Sequence, residues 1–148
     1  MARGDLTLFE EFAHQIGAEQ HNFSSDTLKL GIIDNTLAPV ASMATPTWGD
    51  YSANEVTAAG GYVANGITLT GVTWTEAAGV ATLDDTGNIS LAQNASGFTD
   101  GYWGILYNDT NGTDMAIAFL DLGGPVSEQT GPITINWGAA GILTTTIT

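Results

Sequence analysis

Residues 101–122 read GYWGILYNDTNGTDMAIAFLDL, two apolar runs on either side of the polar knot NDTNGTD at 108–114. An Asn-Gly pair between β-prone runs is a strong short-range hairpin signal, because both central residues of a type I′ turn take positive φ. With the turn centred on Asn111-Gly112, counting outward sets Asp109 against Asp114, Leu106 against Ile117, Gly104 against Phe119 and Trp103 against Leu120. The Leu–Ile and Trp–Leu pairs favour that register, and Phe119 can cover the bare Gly104. The Asp–Asp pair opposes it, since like charges directly across a strand pair are destabilising. Either the loop is wider than a tight turn, or a cation or a neighbouring subunit sits at its tip.

The same knot raises a calcium question, because Asp109, Asn111 and Asp114 all carry side-chain oxygens. Set against an EF-type loop that starts at Asp109, Asp114 takes the glycine place and Leu120 the place of the bidentate Glu, so that template fails. A structural Ca2+ of another type at these three residues is the one cofactor the sequence leaves open, with Asp84, Asp85 and Asn88 as a second group. The plainer expectation is a hairpin tip with solvated acids and no cofactor.

In this register one face of the hairpin carries Leu106, Met115, Ile117 and Phe119, and the other Trp103, Ile105, Tyr107 and Leu120. A strand pair apolar on both sides belongs in the middle of a sheet, with the helix or another subunit over its second face.

Outward from the hairpin the pattern stays β. TLKLGII at 27–33 alternates, placing Leu28, Leu30 and Ile32 on one face. After Gly60, short β-prone runs recur with turn signals about every eight to twelve residues, the spacing of a sandwich or barrel. Upstream, Thr7 and Glu10 form a T-x-x-E capping box, and Leu8, Phe9, Phe12, Ala13 and Ile16 make a helical stripe that ends near Gly17. The irregular segment 34–60 holds Pro39, Pro46, Trp48 and Tyr51; at that length it is more often functional or interfacial than idle. The expectation is mainly β: an antiparallel β-sandwich or barrel with one N-terminal α-helix. It forms a single domain over 1–148, with an arm and helix in 1–20 and a β domain over 27–148.

Charge narrows the function classes. Lys and Arg number 2 against 16 Asp and Glu, a formal net charge of −14, which leaves too few cations to neutralise phosphates or to dock on anionic lipid. The Cys count of 0 excludes disulfides, thiolate zinc sites and a Cys nucleophile. No run approaches the ~18 apolar residues of a membrane span, and MARGDLTLFEEFAHQIG lacks a signal-peptide core, so synthesis in the cytosol without Sec export is expected. The N-x-S/T triplets at Asn22, Asn88, Asn94, Asn108 and Asn111 then read as by-products of Asn- and Thr-rich turns.

Catalytic patterns are missing from the sequence. There is no G-x-S-x-G elbow, no P-loop lysine and no G-x-G-x-x-G order, and adjacent acids such as Asp84/Asp85 point in different directions. Glu10 and His14 share a helical face, with no third ligand evident. The expectation is no enzyme. Trp48 and Tyr51 are the exposed-aromatic candidates, suited to stacking on sugars or anchoring a protein interface.

The stretches GGYVANGITLTGVTWTEAAGVATLDDTGNISL, GYWGILYNDT and AIAFLDLGGPVSEQTGPITINWGAAGILTTT, and more loosely SDTLKLGIIDNT, together resemble small accessory structural proteins of tailed bacteriophages. The resemblance covers most of the chain after Ser25 and supplies no catalytic residue. It implies a capsid decoration or cement protein on the outside of the virion, commonly a homotrimer, with the major capsid protein as partner. Phe9, Phe12 and Ile16 would dock the helix, Trp48 and Tyr51 would meet the partner, and Trp103 and Tyr107 would lie in the covered hairpin face. The alternative is a virion-associated receptor- or glycan-binding module on tail or head.

Overall fold

The computed structural model describes residues 6–146; of the arm and helix expected in 1–20, residues 1–5 lie outside the described residues. The elements in chain order are β1 (Leu6–Leu8), α1 (Phe12–Gly17), β2 (Leu28–Ile33), α2 (Trp48–Tyr51) leading into a 3-10 turn (Ser52–Asn54), β3 (Ile67–Thr68), β4 (Thr73–Ala77), β5 (Val80–Asp84), β6 (Ile89–Leu91), β7 (Gly101–Asn108), β8 (Ala116–Val126), β9 (Ile133–Ile135) and β10 (Leu143–Thr146). Strands pair antiparallel throughout, in a five-stranded sheet β1-β8-β7-β2-β3, a three-stranded sheet β10-β5-β4 and a two-stranded sheet β6-β9. The protein is mainly β, as expected, and no sheet closes into a barrel.

β7 and β8 form the central hairpin, but with a different turn and register. At the tip the count from Asn111-Gly112 holds, with Tyr107 opposite Ala116 and the Asn108 N–H donating to Met115 O at 2.9 Å. Above it Ile117 is extra, and the pairs become Leu106–Ala118, Ile105–Phe119, Gly104–Leu120 and Trp103–Asp121. One inserted residue moves every later side chain to the opposite face. Phe119 therefore joins Ile105 and Tyr107, while Leu120 joins Leu106, reversing the expected assignment of both. The tip is a wide loop in which Asp114, at φ 52, is the residue with positive φ. The tight turn with two such residues occurs instead at Ala78-Gly79 (φ 53 and 82), which joins β4 to β5.

The alternation in β2 is as expected. Leu28, Leu30 and Ile32 enter a core that also gathers Leu83, Ile89, Leu91, Leu106, Leu120, Ile133, Ile135 and Leu143, so all three sheets share it. Ile33 faces a second core on the far side of the sheet, with Phe9, Trp48, Tyr51, Ile105, Tyr107, Ala116 and Phe119. This chain supplies that cover itself. Trp48 stacks on Tyr107 at a ring separation of 5.2 Å and an angle of 4°, and a Cβ at Gly31 would lie 2.3 Å from the indole. The expectation that Trp48 and Tyr51 are exposed is therefore wrong: they are 3% and 1% exposed. The accessible surface, 7259 Å², is close to the roughly 7,100 Å² of a compact monomer of this mass. The doubly apolar hairpin thus needs no second subunit to be covered.

The helix is also displaced. Thr7 lies in β1 opposite Phe119, so no helix begins there, and α1 runs only from Phe12 to Gly17. Pairing with β8 satisfies the backbone of 6–8 and carries Phe9 into the second core, which outweighs a marginal helical turn. A capping box does form, at Thr47 and Asp50, where it starts α2 and sets Trp48 over the sheet.

Two buried polar side chains tie the loops to this frame. The Tyr62 hydroxyl accepts from Ile32 N–H at 2.9 Å and donates to Glu55 Oε1 at 2.8 Å. Glu128, 0% exposed, accepts from Gly61 N–H at 2.6 Å, and a Cβ at Gly60 or Gly97 would fall 2.5 Å from its other carboxylate oxygen.

Gly31→Ala tests the cover. The added methyl must displace the Trp48 ring, and overpacking of this kind costs about 1–3 kcal/mol, more where an aromatic loses its seat. The expected outcome is a loss of about 2–4 kcal/mol in denaturant unfolding with a red-shifted tryptophan emission. Unchanged stability and emission would show that Trp48 does not depend on the glycine.

Candidate functional site

The hairpin tip is held by its own chain. Lys29 leaves β2 to place Nζ 2.9 Å from Asp109 Oδ1, which supplies the cation that the facing acids called for. Asn111 Nδ2 donates to Gln20 O at 3.1 Å and to Gln20 Oε1 at 3.2 Å, while its Oδ1 accepts from Thr113 N–H and Oγ1–H. The Asp114 carboxyl is raised above its ordinary value, mainly by burial and further by Asp109, against the opposing pull of Lys29. Side-chain oxygens of Asp109 and Asn111 are thus engaged by Lys29 and Thr113, and Asp109 and Asp114 are half-buried rather than freely solvated. Among the described residues no group of three His, Asp or Glu side chains gathers to hold a metal ion.

Asn108, the last residue of β7, is the keystone that sequence reasoning passed over. It is 0% exposed. Its Oδ1 accepts from the N–H groups of Thr110 and Asn111 at 3.0 and 3.2 Å, which fixes the amide with Nδ2 on the other side. Nδ2 reaches Asp26 Oδ2 at 2.6 Å and His21 Nδ1 at 3.1 Å. His21 Nδ1 is therefore an acceptor, and Nε2–H donates to Gln15 Oε1 at 2.9 Å. The ring is neutral, in one tautomer, and stacked on Phe23 at 5.5 Å and 6°. Burial lowers its pKa below 6.5, with Asp26 opposing. A polar residue ending an apolar strand was the only sequence sign of this network. The expected Glu10–His14 pair is instead His14 with Glu11, at 2.9 Å.

Of the expected contact residues, Phe9, Phe12, Trp48, Tyr51 and Tyr107 are buried in this chain's own cores and Trp103 is half-buried. Ile16, at 37% exposure, is left on the surface. A wide opening lies elsewhere, between the end of β8 and the segment around β9. It is a cleft of about 1220 Å³ whose walls include Asp121, Val126, Thr134, Asn136 and Trp137. Asp121 is the one titratable residue in its lining, so it presents no acid–base pair. Burial raises the Asp85 carboxyl, against the opposing pull of the Trp137 indole and the Gly87 amide. A smaller opening of about 360 Å³ lies beside His21, walled by Ile16, Glu19, His21, Asn22, Phe23 and Trp74.

The sign of the His21 effect is fixed. Its folded form takes up a proton less readily than the unfolded chain, so the stabilisation is complete above pH 6.5 and is lost as pH falls toward the lower folded pKa. Asp85 and Asp114 act in the opposite direction, because raised carboxyl pKa values favour the folded state on acidification. Comparing wild type with His21→Gln at each pH cancels those terms. The stability difference is expected to shift against wild type between pH 7 and pH 5 in thermal unfolding; parallel curves would mean that His21 is not held neutral. Comparison with known protein families, with curated proteins and with solved structures finds no match.

Proposed function

We propose that this chain is a virion structural protein, a capsid decoration or cement protein that binds the outer surface of an assembled head as a homotrimer and stabilises contacts between capsomers. The sequence resemblance supplies the class. The observation that carries it is the character of the β8–β9 cleft: wide, lined by Thr, Pro and Ile with a single acid, and suited to receive another surface rather than to move protons. The three sheets around one core, as a β-sandwich, give such a module rigidity without a cofactor. An acidic exterior with so few cations suits a partner surface that brings basic groups.

A glycan-binding role is the alternative, and one feature favours it. Trp137 lines the cleft beside Asn136 and Thr134, an aromatic plane next to hydrogen-bonding side chains. Trp48 and Tyr51, the aromatics first considered for that task, are buried.

The test is co-sedimentation with purified heads that lack the protein, with mass in solution measured in parallel. The expected result is saturable binding in hundreds of copies by a trimer, a rise in the heads' melting temperature, and loss of binding in Thr134→Arg/Asn136→Arg, where both substituted residues are exposed and the fold is kept. A monomer that ignores heads removes the proposal. Glycan-array binding lost in the same double variant replaces it with the alternative.

A further inference from the structure

The small opening beside His21 has a composition that its size alone does not require. Phe23 and Trp74 meet at a ring separation of 5.2 Å and an angle of 56°, so their planes form two walls of a corner. His21 continues the wall, stacked on Phe23. Glu19 and Asn22, both exposed, stand at the rim, and Ile16 closes one side with its side chain partly in solvent. Aromatic faces are electron-rich, and a carboxylate beside them adds full negative charge, so such a corner attracts a cation. His21 brings no opposing charge, since its nitrogens are engaged by the neutral side chains of Gln15 and Asn108.

Within one chain, a corner of this kind is commonly filled by a neighbouring Lys or Arg. Among the described residues Lys29 is the one Lys or Arg, and it is already 2.9 Å from Asp109 at the hairpin tip. The described residues therefore supply no cation to this corner, and a second copy of the chain, with 2 Lys and Arg in all against 16 acids, is a poor donor, which favours a basic partner.

We propose that the pocket formed by Phe23, Trp74, His21 and Glu19 receives an arginine side chain of a partner protein. A guanidinium is planar and weakly hydrated, so it can lie flat on the Trp74 indole while its N–H groups reach the Glu19 carboxylate and the Asn22 amide; an ammonium cannot do both. The volume, about 360 Å³, is at the small end of ligand sites and suits one side chain rather than a peptide. This assignment does not depend on where the protein acts: it concerns what the pocket binds, whereas the capsid reading concerns the cleft on the β8–β9 side.

The experiment is an NMR titration of the full chain with N-acetyl-L-arginine amide, with N-acetyl-L-citrulline amide as its neutral isostere and tetramethylammonium as a non-planar cation. Saturable shifts of the Trp74 indole are expected, with those of Trp48, Trp103 and Trp137 unmoved. Citrulline should bind several-fold more weakly, and Glu19→Gln, at an exposed site that leaves the fold intact, should weaken the arginine probe by about threefold or more. Equal binding of citrulline, shifts spread over all four indoles, or an unaffected Glu19→Gln variant would overturn the proposal. Tighter binding of tetramethylammonium would overturn the arginine assignment. Head binding that survives in Glu19→Gln would leave the capsid reading standing while the pocket is judged by the titration alone.

Discussion

A sheet that is apolar on both sides must be covered twice, and nearly everything else in this protein follows from that. β2 alternates Leu28, Leu30 and Ile32 toward one core with Gly31 and Ile33 toward the other. The first core is closed by the two smaller sheets. The second is closed by a short piece of irregular chain, seated through Trp48 on Tyr107 and over the bare backbone of Gly31. Burying a tryptophan and a tyrosine removes several hundred Å² from water, worth several kcal/mol at about 25 cal/mol per Å². That is enough to hold a segment with little regular structure of its own, and it explains why 34–60 is long without being loose.

How much of this was legible in the sequence depended on whether the signal was periodic. The strand at 28–33 and the central hairpin stood out because side-chain alternation is a local property. The bulge at Ile117 did not, because an inserted residue is visible only when the partner strand is in place, and it reassigned Phe119 and Leu120 to opposite faces. The helix was misplaced for a related reason. Leu6–Leu8 reads equally well as the start of a helical stripe or as an edge strand, and only the free edge of β8 decides between them. Trp48 and Tyr51 were read as exposed from the irregularity around them, yet their partners, Gly31, Met43 and Tyr107, are distant or featureless in sequence.

The polar core shows the same limit from the other side. The acids at 109 and 114 attracted attention as ligands because carboxylates close in sequence suggest a metal. The residue that organises the region is the neutral Asn108, whose amide joins the hairpin to Asp26 and His21, more than eighty positions upstream. A buried amide with both ends engaged carries no desolvated charge, so it can be fully satisfied without a counter-ion and holds one geometry. The facing acids pose an electrostatic problem for which the sequence left a cation open; Lys29, ion-paired with Asp109, supplies a positive charge from within the chain.

Charge then bears on where partners can touch. Sixteen acids against two cations leave the chain strongly self-repelling, and compactness has to come from the two apolar cores. With Lys29 committed to Asp109, the described surface has no basic side chain of the Lys or Arg type to offer. The described surface is therefore suited to partners that bring cations of their own, to which it offers acids. The β8–β9 cleft has the single acid Asp121 in its lining, whereas the smaller Trp74–Glu19 corner sets an acid beside aromatic side chains. On the proposed readings, a nearly neutral docking cleft and a separate cation pocket would divide two tasks that one site does poorly together. Burying a large interface is hindered by unpaired charge, and selecting a cation requires it.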